Sequence, residues 1–441
     1  MGSTVYFMDD RATSAQDSLV AKTLALFDKA GFADMIRPRD VVAIKMHMGE
    51  WNNTAYLRPV YVRALVDKIK SLGGIPFVTD TTTLPYAVWS SRVTALDHLM
   101  TDERNGFNSG TVGCPVIIAD GYFGTDDVHV DLPEGLVLKD GYVSSAIAMA
   151  DMVLLLSHYK GHGVGVIGGA VKNLGVGCAS KRGKFNLHGC GDPRYGLGGS
   201  EFKPEICKGR DCPTWQLCDQ VCAFDALHVT EQGLVWDADK CRGCFAHRSV
   251  ISCGALDPPK HWGQVSPVAI ADAAMAAYKV IGRDRLACLN LALDISPMCD
   301  CVAFSDRPIV PNIGIFASHD PVAIDKACVD AVTAAPGIPG SVAEVKGVAG
   351  CGDIKHDTCS SIQGYSQYIQ LKAGQRLGLG TMDYELEQLG RLPSVEPYVL
   401  NPAGGRPEPI GARFSRSFKK MPFFPEGGFP RHADLDVEDL F

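Results

Sequence analysis

Long apolar runs are missing from this chain. The aliphatic stretch Met152–Leu156 is far short of the ~20 residues that cross a bilayer, so no membrane-spanning helix is expected. The opening "MGSTVYFMDD" has no basic segment leading into an apolar one, and no Ser or Thr at position six. Neither an export signal nor a myristoylation site is therefore expected, and a reducing cytoplasm is the default location. A surplus of basic residues is missing too: 42 Lys+Arg against 50 Asp+Glu give a net charge of -8, which repels nucleic acid and anionic membrane as partners. Absent as well are a GxxxxGK[ST] phosphate loop and a GxGxxG turn following a strand, although Gly161, Gly163 and Gly165 echo the latter. What is present is ample apolar material, 46% of 441 residues, enough for more than one core.

Cysteine is plentiful, and it is clustered. Seven of the 16 cysteines fall between Cys207 and Cys253. In a reducing compartment such a cluster points to ligands before disulfides. Cys207, Cys212, Cys218 and Cys222 form one group, and Cys241, Cys244 and Cys253 a second. Two-cluster ferredoxins repeat CxxCxxCxxxC, the fourth cysteine of each half ligating the other half's cluster. Only fragments survive here: Cys218-x3-Cys222 ends a first half, without the usual proline after it, and Cys241-x2-Cys244 begins a second. The crossed assignment gives one 4Fe-4S cluster to Cys207, Cys212, Cys218 and Cys253. A second site is left with Cys222, Cys241 and Cys244, and His247 stands where an eighth cysteine would fall. A histidine ligand, a three-iron cluster, a ligand from elsewhere and no second cluster all stay open. A zinc ribbon would need four ligands and two CxxC pairs, so this order of seven favours iron and sulfur.

Around the cassette the chain reads as α/β. "TVYFMD", "DVVAIKMHM", "IPFVTD", "MVLLLSHY" and "NIGIFAS" have strand length and composition. Between two of them "RPVYVRALVDKIKSLGG" places Val62, Leu65, Val66 and Ile69 on one helical face, with Gly73-Gly74 as its stop. Strand–helix–strand implies an open, mostly parallel sheet, in a host of two lobes with an inserted α+β ferredoxin-like domain. "SHDPVAIDKACVDAV" predicts a helix with Asp320 as N-cap and Pro321 at its first position, Ile324, Cys328 and Val329 inward, and Asp325 as a structural carboxylate rather than a pocket acid. Four stretches result: an α/β domain over 1–200, the insert over 201–257, a second α/β lobe over 258–395, and a Pro/Gly-rich tail over 396–441. In the tail Phe423, Phe424 and Phe429 are expected to pack on a partner subunit or on the chain's own body.

Ligands in such sheets sit beyond the carboxyl ends of the strands, and polar residues gather there. Lys45 and His47 end one strand, Asp80 another, and Ser157, His158, Lys160 and His162 a third. The last runs into "VGVIGGAVKNLGVGCASKRGKFNLHGC", read as flexible, glycine-rich backbone. Its Gly168, Gly169, Asn173 and Lys184 are expected to cradle an anionic substrate or second cofactor. Lys172, Lys181, Arg182 and His188 add charge or proton-transfer groups. "DISPMCDC" sets Cys299 and Cys301 on one face of an extended segment, roughly 6.6 Å apart. That is the outer limit for a disulfide, so a ligand pair is favoured over a bridge, with Cys178 or Cys190 as a further partner.

The segments "VVAIKMHMGE", "HYKGHGVGVIGGAVKNLGVGCASKRGK", "DISPMCDC" and "PIVPNIGIFASHDPVAIDKACVD" resemble those of domain-of-unknown-function family 362. The resemblance implies an iron–sulfur protein with an inserted ferredoxin-type cassette and no agreed reaction. "GGAVKNLGVGCASKRGKFNLH" is distantly similar to a segment of nickel-pincer lactate racemases, which implies cofactor or substrate ligands at Lys172 and His188 and acid/base roles for His158 or His162. Three function classes follow. The favoured one is an oxidoreductase or electron-transfer protein, working with a redox partner protein or on a small anionic substrate. The others are a racemase- or isomerase-like enzyme with a structural cluster, and an iron or redox sensor.

Overall fold

A computed structural model of the chain describes residues 2–85, 90–189, 201–242, 246–249, 251, 253–257, 262–348, 358–390 and 427–429. Eight strands share one sheet: β1 (Ser3–Asp9), β2 (Val41–Lys45), β3 (Ile75–Asp80), β4 (Val116–Ile118), β5 (Met152–His158), β6 (Leu286–Ala292), β7 (Gly314–Ser318) and β8 (Tyr384–Gln388). Their order across the sheet is β8-β1-β7-β6-β5-β2-β3-β4. All run in the same direction except β7, which is antiparallel to both neighbours. The fold is thus the open, mostly parallel α/β class expected, and strands from 1–200 and 258–395 lie in one sheet. Every residue of β5 and β6 is buried, as continuous aliphatic central strands require. The edge strand β8 carries its two glutamates outward.

Helix α1 (Leu19–Lys29) follows β1, and α2 (Pro59–Ser71) makes the crossover from β2 to β3. Val62, Leu65, Val66 and Ile69 of α2 are all fully buried, and Gly73 takes φ +88 just beyond its end. From β2 the chain moves outward through β3 to β4, then returns to the other side of β2 for β5 and proceeds away from it. The crevice beyond the carboxyl ends of β2 and β5 is the switch point of this topology, where open α/β sheets place their ligands.

The glycine-rich stretch expected to be flexible is instead two helices, α3 (Ala170–Cys178) and α4 (Lys181–His188). Its glycines serve close packing. A Cβ on Gly175 would stand 2.3 Å from the Ile270 carbonyl oxygen of α5 (Trp262–Ile281), against which α3 lies. A Cβ on Gly169 would stand 2.2 Å from a carboxylate oxygen of Asp325. That carboxylate, on α6 (Pro321–Ala334), accepts from the amides of Ala170 at 2.7 Å and Val171 at 2.9 Å and from Asn290 Nδ2 at 2.6 Å. It therefore caps α3 from a distance, while Asp320 caps α6 itself through the amides of Val322 and Ala323. Burial raises the Asp325 carboxyl to about 6 against the pull of these donors.

The insert's ends meet: Glu201–Phe202 pairs antiparallel with Leu256–Asp257. Between them a hairpin, Leu227–Thr230 with Gly233–Trp236, and a short helix, Trp215–Gln220, enclose a small core of Leu227, Val229, Leu234, Ala255 and Leu256. Cys207, Cys218 and Cys222 pack against it. Cys244 and Cys190 lie outside the described residues, as does the expected tail save 427–429.

Replacing Asp325 with Ala strips three donors of their acceptor, two amides at the start of α3 and Asn290 Nδ2 on β6. The expected loss, read from urea unfolding midpoints, is about 1–3 kcal/mol; no loss would show that water replaces the cap.

Candidate functional site

A cavity of about 370 Å³ opens at the switch point. Eleven residues expected at a site from the sequence line it together: Lys45, His47, His158, Lys160, His162, Gly168, Gly169, Lys172, Asn173, Lys184 and His188. Cys299 and Cys301 form part of its wall. Leu84, Arg92 and Met298 join them without any forewarning in the sequence.

Buried charge needs a partner, and most of it has one. Lys45 Nζ meets Asp80 Oδ1 at 2.9 Å and also donates to Asn173 Oδ1 and the Met46 carbonyl, each at 3.0 Å. Lys160 Nζ donates to Asp300 Oδ2 at 2.8 Å, and the other oxygen of Asp300 meets His158 Nδ1 at 2.9 Å. Arg92 Nε lies 3.2 Å from Glu50 Oε2. Burial alone would raise the carboxyls of Asp300 and Asp80. His158 and Lys160 at the first, and Lys45 at the second, hold them well below the usual carboxylate range. Three carboxylates thus answer Lys160, Lys45 and Arg92. Lys172 and Lys184 remain without an ion pair among the described residues.

These two ammoniums are not alike. Lys184 donates to the Thr81 hydroxyl and to the Ala179 carbonyl at 2.7 Å. Lys172, third residue of α3, makes no hydrogen bond to a described residue. It is half-buried by area because it fronts the cavity, yet protein surrounds it. Burial, then the charge of Lys160, lowers its pKa to about 7, with Asp300 opposing. Burial lowers Lys184 to about 8, with Asp120 and Asp80 opposing. The positive end of α3 disfavours a cation at Lys172 further.

Two imidazoles face the same space in matching states. His47 Nδ1 accepts from the Gly49 amide at 2.9 Å, and its buried Nε2 has no partner among the described residues. His162 Nδ1 accepts from the amides of Val164 at 3.1 Å and Gly165 at 2.7 Å, in the turn between Lys160–His162 and Val166–Gly168. An amide donating to Nδ1 leaves the neutral ring's proton on Nε2. Burial, helped by Arg92 at His47 and by Lys172 at His162, holds both rings neutral. Val166, which closes this turn, adopts φ +68, a strained conformation for a β-branched residue. His158 differs. Its Nε2 faces the Leu293 carbonyl at 2.6 Å and its Nδ1 faces Asp300, so both nitrogens are committed to holding the wall.

The "CDC" segment corrects an expectation. Cys299 and Cys301 are joined as a disulfide rather than standing apart as a ligand pair. The segment turns instead of extending, with the Val302 amide bonded to the Cys299 carbonyl, and this brings the two Cα atoms to 5.3 Å. A nitrogen of His162 and the two sulfurs lie within 4.8 Å of one another. A metal could use them only after reduction. Cys178 does not join them; its buried thiol points to the Asn173 carbonyl and is pushed up to about 12 by burial.

In the insert, four of the thiols lie near enough to act on one another. Burial raises Cys218 to about 11, and after burial the neighbours that raise it are Cys212, Cys253 and Cys207. A cationic metal–sulfur core would relieve that mutual repulsion. Among the described residues no three of these sulfurs lie within 4.8 Å of one another. Cys222, Cys241 and His247 border a separate cavity of about 30 Å³ with Phe224 and Trp236.

Fold and site together define an α/β protein with a cationic cavity at its switch point and a cysteine-rich insert. A family model, Domain of unknown function (DUF362), matches residues 42–330, and the chain belongs to that family. None of the curated proteins matches it significantly. Among solved structures, the lactate racemase apoprotein from Thermoanaerobacterium thermosaccharolyticum is similar at 12% identity and a TM-score of 0.35, over 88% of this chain and 82% of that one. A likeness of that size carries no argument about this chain. No described helix is long and apolar enough to cross a membrane.

Asp300 is the partner on which the cavity wall depends. Replacing it with Ala leaves Lys160 and His158 buried without their acceptor, and should cost about 3–5 kcal/mol of unfolding free energy. A loss under about 1 kcal/mol would show that these groups shed their charge or reach water instead.

Proposed function

We propose that the chain is an iron–sulfur oxidoreductase that binds a small carboxylate or other oxyanion in the cavity and exchanges single electrons through its insert. The observation that carries the anion reading is the pair of cavity amines, Lys172 and Lys184, without a counter-ion among the described residues in a protein of net charge -8. Two uncompensated charges in an enclosed site strongly favour a negative ligand. The electron reading is supported by the seven clustered cysteines and by the influence of Cys212, Cys253 and Cys207 on the Cys218 thiol, four residues that would hold one cluster. Cys222, Cys241 and Cys244, with His247 as fourth ligand, would hold a second. When bound, such clusters supply one-electron transfer. The protein's own part is to hold the anion on Lys172 and Lys184, exclude water, and hold protons at His47 Nε2 and His162 Nε2. An organised cavity of this kind favours an enzyme over a sensor.

Protein purified without oxygen should be brown and carry about eight irons with matching sulfide, or about seven if the second site holds three. Cys218→Ser should remove about half of that iron. Colourless protein carrying zinc would sink the redox reading. His247→Cys should lower the reduction potential of one cluster and leave the other where it was; no change in either removes His247 from the ligand set.

Sulfate keeps its charge across neutral pH and so reports on the cavity alone. Lys172 and Lys184 are charged below about 7 and about 8. Sulfate affinity should therefore be greatest near pH 6 and fall at least about tenfold by pH 9, since one charge at ~4 Å is worth ~1–4 kcal/mol. Affinity that is flat over this range in calorimetric titrations would refute the anion site.

A further inference from the structure

Four amines face the cavity, and three are occupied. All the acceptors around Lys45 are oxygens held at 2.9–3.0 Å, from Asp80, Asn173 and the Met46 carbonyl. Lys160 is fixed on Asp300, and Lys184 on Thr81 and Ala179. An amine held this way is tied to the wall and is not free to turn onto a ligand. Lys172 has no such acceptor among the described residues. The groups around it are the cations Lys160, Lys45 and Arg92, the Asp300 carboxylate already shared by Lys160 and His158, and the two neutral imidazoles. Desolvation beside other cations is the environment that turns a lysine into a nucleophile. With its pKa lowered to about 7, its amine is unprotonated near neutral pH far more of the time than that of an ordinary lysine.

We propose that Lys172 Nζ captures the bound anion covalently, as an imine with an aldehyde or keto carbon, so that the substrate class is a small oxo acid. The inference rests on the anion-binding reading and adds the carbonyl to it. The amine lone pair adds to the carbonyl carbon, and the C=O π pair moves to oxygen. The C–N double bond then forms as that oxygen leaves. Both amine protons depart with it as one water, so no oxidant or reductant is consumed. His47 and His162, each with a proton on Nε2, are placed to donate to the oxygen and to take the proton back from nitrogen. The anionic end answers the surplus charge that Lys172 and Lys184 share.

Glyoxylate, the smallest carboxylate bearing an aldehyde, is the probe, with cyanoborohydride to fix the imine and peptide mass mapping to find it. One reduced adduct per chain is expected, on Lys172, forming at least about tenfold faster than on any other lysine of the same chain. Its rate should rise between pH 6 and 8, opposite to the trend for sulfate affinity. Lys172→Arg should abolish it, with circular dichroism checking that the variant is folded; if it is not, the map on the unaltered protein decides. Labelling spread evenly over surface lysines, centred on Lys160 or Lys184, or surviving in a folded Lys172→Arg overturns the proposal. Glycolate, the same anion without the carbonyl, separates the two readings by calorimetry. Glycolate binding without glyoxylate capture overturns the imine and leaves the anion site standing. Binding of neither overturns both.

Discussion

Asp300 stands where three segments of the chain meet. Its two oxygens hold His158 at the end of β5 and Lys160 just beyond it, and its carbonyl accepts from the Glu50 amide at 2.8 Å. Its chain neighbours on either side are the paired Cys299 and Cys301. One buried carboxylate therefore sets the position of a strand end, a charged side chain and the sulfur-bearing wall. In a low-dielectric interior such an ion is tolerable only because the Lys160 ammonium and the His158 ring are both there to meet it, and Lys160 is tolerable only because of it. This mutual dependence fixes the cavity's shape more firmly than apolar packing could.

The same logic gives the empty space its character. Lys45, Lys160 and Arg92 spend their charge on the protein's own carboxylates, so they build the wall and contribute little net field. Lys172 and Lys184 have no such partner among the described residues, so whatever charge they carry acts on the cavity. The two nearby histidines stay neutral for the same reason, since each further proton would add to a positive site. A ligand that brought negative charge would ease all of these terms at once, which is a stronger basis for selectivity than any single contact.

Much of this was legible in the order of residues. Strands announce themselves as aliphatic runs because central strands are buried on both faces, and the helix after β2 because its inward positions recur at helical spacing. Lys45, Asp80, His158 and Lys160 were visible as polar residues where those runs stop. Three things were not. The glycines of α3 and α4 look like a loop until α5 and Asp325 are seen pressing against them. The turn at Asp300, which closes the two cysteines, depends on hydrogen bonds and burial that spacing does not encode. Arg92, bonded to a glutamate 42 positions away, sits in a segment with no periodicity at all. Nor could the sequence rank the lysines, since what distinguishes Lys172 is that no described residue accepts from it.

The short ladder between Glu201–Phe202 and Leu256–Asp257 has a further implication. Because the cassette begins and ends on adjacent strands, its two junctions with the host are side by side. It is joined to the larger protein like a side room with one doorway. No strand of the eight-stranded sheet comes from within it, so an ancestral host could have acquired or discarded the cassette without redrawing its own topology. The cavity and the cysteine-rich module can then be regarded as separately heritable parts, the first able to exist before there was any wiring to serve it.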